Sequence, residues 1–110
     1  MALPVYNITL RRNAKWILVV SEISFDLSDY SGKMQIRSIK DSSVLAELST
    51  LNNKIVIDNT VKTITLTLTT TEIKAITQNK GKYDFILIKQ GEGTPLFEGE
   101  VTIISGVTEI

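Results

Sequence analysis

Cysteine and histidine are both missing from the 110 residues of this chain. Without cysteine there is no disulfide framework and no thiolate metal site. Without histidine the chain lacks the usual general base near neutral pH and the commonest metal ligand. Charge of one sign is missing too: 12 basic and 12 acidic residues cancel and are interspersed, which argues against electrostatic capture of nucleic acid or anionic lipid. The longest apolar run, Trp16 to Val20, is far too short to span a bilayer. The N-terminal residues show no charged-then-apolar pattern, so no secretory signal is expected. Proline is scarce, with only Pro4 and Pro95, and no linker, repeat or low-complexity tract divides the chain. One domain, residues 1–110, is expected, long enough to bury a core without staples.

What is present is a period of two. Tyr6, Ile8 and Leu10 alternate with Asn7 and Thr9. Residues 15–21 are rich in branched side chains on both faces, which predicts a strand that is central or covered on both sides. Ile23 and Phe25 extend that path, and a loop of turn-forming residues runs from Asp26 to Gly32. Met34 and Ile36, then residues 44–48, then Ile55 and Ile57 mark three further strands. The clearest alternation sets Ile64, Leu66 and Leu68 against Thr63, Thr65, Thr67 and Thr69, giving a core face and a threonyl face. Residues 71–77 are the one helix candidate, capped by Thr70 or Thr71. Tyr83, Phe85 and Leu87 open the next strand, residues 90–95 form a glycine-rich hairpin loop, and Phe97, Gly99, Val101 and Ile103 alternate in the last one. Seven to nine short strands, one short helix and no βαβ unit predict an all-β fold, an antiparallel β-sandwich with immunoglobulin-like connectivity. A small OB-type barrel is the alternative. Tyr83 follows a short helical crossover, the layout of a tyrosine corner; a tyrosine that merely opens a strand is the plainer reading.

Each constellation that could carry chemistry has a structural counterpart. Asp26, Ser28 and Asp29 share a loop, but calcium needs six to eight oxygens, and bonding within the turn explains the same residues. Glu98 and Glu100 share a strand face, where two solvated carboxylates are the ordinary case. A Ser or Thr nucleophile would have no histidine base. Gly91-Glu92-Gly93 precedes a strand, unlike a phosphate loop. Arg11, Arg12 and Lys15 flank Trp16, a pattern that can bind single-stranded nucleic acid, yet Trp16 is in core phase with Leu18 and Val20. The threonyl face of residues 63–69 is either a wet sheet face or an edge that accepts another strand. No catalytic, cofactor or metal residue is assigned, and no enzyme activity is expected.

One ordered set of segments carries a resemblance. It comprises Asn7-Ile8-Thr9-Leu10-Arg11-Arg12-Asn13 with Trp16, Asp26-Leu27-Ser28-Asp29-Tyr30, Met34-Gln35-Ile36-Arg37, Val44-Leu45-Ala46-Glu47-Leu48-Ser49-Thr50, Ile64-Thr65-Leu66-Thr67-Leu68, Tyr83-Asp84-Phe85, Glu98-Gly99-Glu100-Val101-Thr102 and Val107-Thr108. Covering nearly the whole chain, it resembles the small β-sandwich proteins of the tail and baseplate region of tailed bacteriophages, and is similar to the immunoglobulin-like N-terminal domains of baseplate upper proteins. The pattern departs at Asn13 and Asp29, where glycine is common in those proteins. The resemblance implies a non-enzymatic virion component, assembled in the host cytoplasm. It would dock between tail or baseplate proteins and anchor a fibre or receptor-binding protein, as an oligomer or part of a larger assembly, with no nucleic acid, membrane or cofactor. Attachment is expected through residues 2–5 and 106–110, where Leu3, Val5, Val107 and Ile110 lack an obvious core partner, and through the loop residue Tyr30; pairing of those ends within the domain is the competing reading. A free-standing carbohydrate-binding or adhesin-type sandwich is the alternative function, but it wants a row of exposed aromatics, and most of the seven here fall in core phase.

Overall fold

The computed structural model describes residues 3–108. Eight strands and one helix follow in the order β1 (Ile8–Arg11), β2 (Trp16–Val20), β3 (Ser31–Ser38), β4 (Val44–Ser49), β5 (Ile55–Asp58), β6 (Thr63–Leu68), α1 (Thr70–Lys74), β7 (Lys80–Lys89) and β8 (Glu92–Ile104). They build an all-β sandwich of two sheets, β1-β8-β7-β3-β4 and β2-β6-β5. By strand order, β2-β6-β5 takes the B, E and D places of an immunoglobulin sandwich, and β8-β7-β3-β4 the G, F, C and C′ places.

Alternation produces the core. The inward residues of β6 (Ile64, Leu66, Leu68) meet those of β3 (Met34, Ile36) and β7 (Tyr83, Phe85, Leu87), with Ile8, Leu10, Val101 and Ile103 completing one continuous cluster. The sheets come close at Gly32, where an added Cβ would lie 3.1 Å from Ile55 and 3.3 Å from Phe85. Leu27, from the loop after β2, is buried and plugs one end of the sandwich. Its amide donates to Asn59 Oδ1 at 2.8 Å, which ties that loop to the β5–β6 turn.

Several elements differ from the sequence reading, each for a local reason. The sheet pairing is antiparallel except at β1, which runs parallel to β8 (Ile8 opposite Val101), because β1 and β2 lie in different sheets and do not form a hairpin. Among the described residues β2 is an edge strand paired only with β6, and Ile17 (51% exposed) and Val19 (54%) face solvent; branched composition favours strands without specifying central or edge placement. The strand does not continue to Phe25, because Glu22 adopts φ 58° and breaks the extended path. The helix is α1, shorter and earlier than 71–77. Thr69 caps it, accepting from the Glu72 amide, while Glu72 accepts from the Thr69 amide at 2.9 Å in a capping box. The hairpin loop shrinks from 90–95 to Gln90 and Gly91, whose φ values of 54° and 79° suit the tight turn joining two long strands. Pro95 then falls inside β8 where the β7–β8 register shifts, a bulge that accommodates a residue without an amide donor. β6 is flanked by β2 and β5, so its threonyl side is a sheet face and cannot be an edge.

Candidate functional site

The residues expected to attach partners lie apart. Leu3 is partly exposed and Val5 is 69% exposed, bridging in parallel to Glu98 along the middle of β8. Val107 is 95% exposed beyond the far end of β8, where Asn13 Nδ2 donates to the Thr108 carbonyl at 2.8 Å. Tyr30 sits at the opposite end of the sheet, next to the Ser31–Ile88 pair. Its ring packs edge-on against Phe25 (6.0 Å between centroids), with Lys89 Nζ 5.2 Å above it. Ile110 and Ala2 lie outside the described residues. The structure therefore does not join these positions into one site.

Two sheet faces are better defined. On the outer face of the five-stranded sheet, Gln35 Nε2 donates to Glu47 Oε1 at 2.7 Å and Arg37 Nη2 donates to Gln35 Oε1 at 2.6 Å, with Lys33 Nζ 3.5 Å from Glu47. The Gln35 hydrogen bond, and next the Lys33 charge, hold the Glu47 carboxyl below its usual range. Beside this network an open depression of about 580 Å³ is lined by Val5, Asn7, Lys82, Asp84, Glu98 and Glu100, among others. Asp84 and Glu98 stand directly opposite each other, and Lys82 opposes Glu100. These side chains are exposed, so the depression is shallow, wet and of mixed charge.

The outer face of the three-stranded sheet is mixed, with exposed Ile17, Val19 and Val56 on the two flanking strands and threonines on β6 between them. Val19, Thr65 and Val56 form one cross-strand row, and Ile17 sits beside Thr67 in the next. Val56 is 56% exposed, much like Ile17 and Val19. Exposed apolar side chains gathered on one solvent-facing sheet mark an interaction surface more often than scattered exposure does. Sequence reasoning missed it because Ile17 and Val19 look like residues of a doubly covered strand. The signal available was the threonyl face of β6, which shows that this sheet has an uncovered side.

The other candidates resolve into structure. Asp26 Oδ1 accepts from the Ser28 amide at 3.0 Å and from Asn59 Nδ2 at 2.9 Å, and Oδ2 from Ser28 Oγ at 3.0 Å. These bonds, the Ser28 amide first, lower its pKa and keep it ionised as a loop fastener. Among the described residues, no group of three or more His, Cys, Asp or Glu side chains is placed to hold a metal ion, and no helix is long and apolar enough to cross a membrane. Arg12 donates to the carbonyls of Ile76 and Gln78, both at 3.0 Å, and to Asn79 Oδ1 at 3.1 Å, so this cation pins the crossover from α1 to β7. Trp16 is half-buried and packs on the core from the edge strand.

Tyr83 is no tyrosine corner, since its hydroxyl bonds far from its own neighbourhood, donating to the Tyr6 carbonyl at 2.5 Å. Burial first, then the neighbouring Tyr6 phenol, pushes its pKa up from 10.0 to about 12. Between those two values the unfolded chain has released this proton while the folded one keeps it. Tyr83 therefore stabilises the fold fully below pH 10 and progressively less as pH rises through about 12. Tyr83→Phe should cost about 1 kcal/mol at neutral pH and flatten this alkaline limb. Urea midpoints of both proteins from pH 7 to pH 12 check it; parallel curves would refute the assignment.

A scan of the chain against protein-family models and a search of curated proteins both return no match. The class defined by the fold is architectural: a β-sandwich of a five-stranded and a three-stranded sheet.

Proposed function

We propose that this chain is a non-enzymatic structural protein of a tailed-phage particle, an adaptor in the tail or baseplate that holds a fibre or receptor-binding protein. The observation that carries the docking role is the solvent-facing apolar patch of Ile17, Val19 and Val56 on the three-stranded sheet. Its threonyl companions, Thr65 and Thr67, keep the face soluble until it is covered. The ordered segment resemblance supports the location. A surface of this kind acts through shape and apolar burial. A standard interface of roughly 800 Å² per partner would extend past the patch onto the loops around it.

The test is particle composition. Purified virions analysed by mass spectrometry should contain the protein in a fixed ratio to other tail proteins. Val56→Asp, an exposed substitution on β5, should leave the domain folded and reduce its incorporation at least about tenfold, because a carboxylate would be buried without a partner. Protein present in host lysate and absent from virions would overturn the proposal.

A further inference from the structure

Among the described residues the sandwich has four edge strands, and three carry devices that discourage further pairing. β1 contains Arg11, β4 contains Glu47 and a register shift against β3, and β5 is four residues ending in Asp58. β2 has none: Trp16, Ile17, Leu18, Val19 and Val20 are all apolar, with no proline, charge or bulge within the strand. Among the described residues its backbone pairs with β6 alone, so one row of amide and carbonyl groups faces outward. None of its side chains is fully buried, since even the inward Trp16, Leu18 and Val20 are covered from one side only.

We propose that β2 pairs antiparallel with β2 of a second copy of this chain about a two-fold axis at Leu18, joining two three-stranded sheets into one of six strands. The strand is self-complementary about that residue. Ile17 falls opposite Val19 of the second copy on the outer face, Trp16 opposite Val20 on the inner face, and Leu18 opposite itself. Opposed residues in an antiparallel pair share a face, so a symmetric register centred on a residue keeps core sides together and solvent sides together. Beyond the strand, Lys15 falls opposite Ser21 of the second copy, so no like charges face each other across the axis. The same alignment brings the Ile17, Val19 and Val56 patches of both copies onto one surface. This inference stands apart from the virion assignment, because it concerns only the chain with itself.

The experiment uses the purified chain, followed by sedimentation equilibrium over a range of concentrations. A species of twice the 12.2 kDa chain mass is expected. Ile17→Lys/Val19→Lys places two like-charged pairs across the axis and should weaken the dimer at least about tenfold. Ile17→Lys/Val19→Glu carries as many charges but sets each lysine against a glutamate, and should keep the dimer. Both positions are exposed, and circular dichroism checks that the variants fold. A second readout needs no charged variant. Because the chain has no cysteine, an oxidised mixture of the Ile17→Cys and Val19→Cys proteins should give a covalent dimer that neither gives alone. A monomer at every concentration, a dimer indifferent to the double lysine, or cross-linking no better in the mixture than in either protein alone would each overturn the proposal.

Discussion

Phe85→Ala is expected to destabilise the fold by about 3–5 kcal/mol, the range for deleting a buried aromatic ring. Phe85 is completely buried at the centre of β7. Met34 of β3 and Phe97 of β8 oppose it on either side, the Phe97 ring lying 5.3 Å away at 42°. Phe97 in turn packs edge-on against Tyr83 at 6.1 Å and Tyr6 at 6.4 Å, so the ring supports an aromatic chain reaching the N-terminal segment. The backbone at Gly32 already comes close to the ring, which leaves little side-chain volume nearby to collapse into the void. Against a total stability of about 5–15 kcal/mol for a domain of this kind, the loss is a large fraction. Urea unfolding at neutral pH measures it, and a loss below about 1 kcal/mol would show that the core is loosely packed around this residue.

Gly99→Ala should produce the second large effect, by a different route. A Cβ at residue 99 would lie within van der Waals overlap of the Tyr6 carbonyl oxygen, which is backbone and cannot turn aside. The segment before β1 would have to lift. It is held by the Glu98 amide to the Pro4 carbonyl (3.1 Å), the Tyr6 amide to the Glu98 carbonyl (2.8 Å), the Glu100 amide to Asn7 Oδ1 (3.0 Å) and the Tyr83 hydroxyl. At about 0.5–1.5 kcal/mol for each of these four bonds, the expected loss is about 2–6 kcal/mol. The effect should be local: amide exchange at Tyr6 and Glu98 should accelerate at least about tenfold while that of β3 and β6 changes little. Unchanged exchange at Tyr6 would mean that the strand accommodates a methyl group and that the close approach has no consequence.

The sequence showed clearly where alternation is strict and less clearly where tertiary placement decides. Ile64, Leu66 and Leu68 were legible as an inward face because threonine filled every other position. Tyr83, Phe85 and Leu87 were legible by their own spacing of two, although Ile86 between them is apolar too. A threonine cap was legible at Thr70 or Thr71, yet it fell at Thr69, since a run of threonines offers several equivalent hydroxyls and only the reach of Glu72 selects one. β2 misled because Ile17 and Val19 look buried in any window of sequence, and an edge becomes an edge only when a neighbour fails to arrive. The parallel partner of β1, the hydroxyl of Tyr83 on Tyr6 and the clasp of Arg12 all join residues more than sixty positions apart. No local pattern encodes them. Leu27 was hidden for a related reason, as a buried residue in a loop whose composition signals only a turn.

The parallel pairing of β1 with β8 has a consequence for biosynthesis. Asn7 and Glu100, which bond at that seam, are 93 residues apart. A ribosome delivers β1 well before its partner, so the earlier strand must wait unpaired while the strands between them emerge. Chains stalled or truncated before residue 92 would hold Ile8 and Leu10 in solvent, presenting to chaperones and proteases a tag of incomplete synthesis that disappears when the final strand docks.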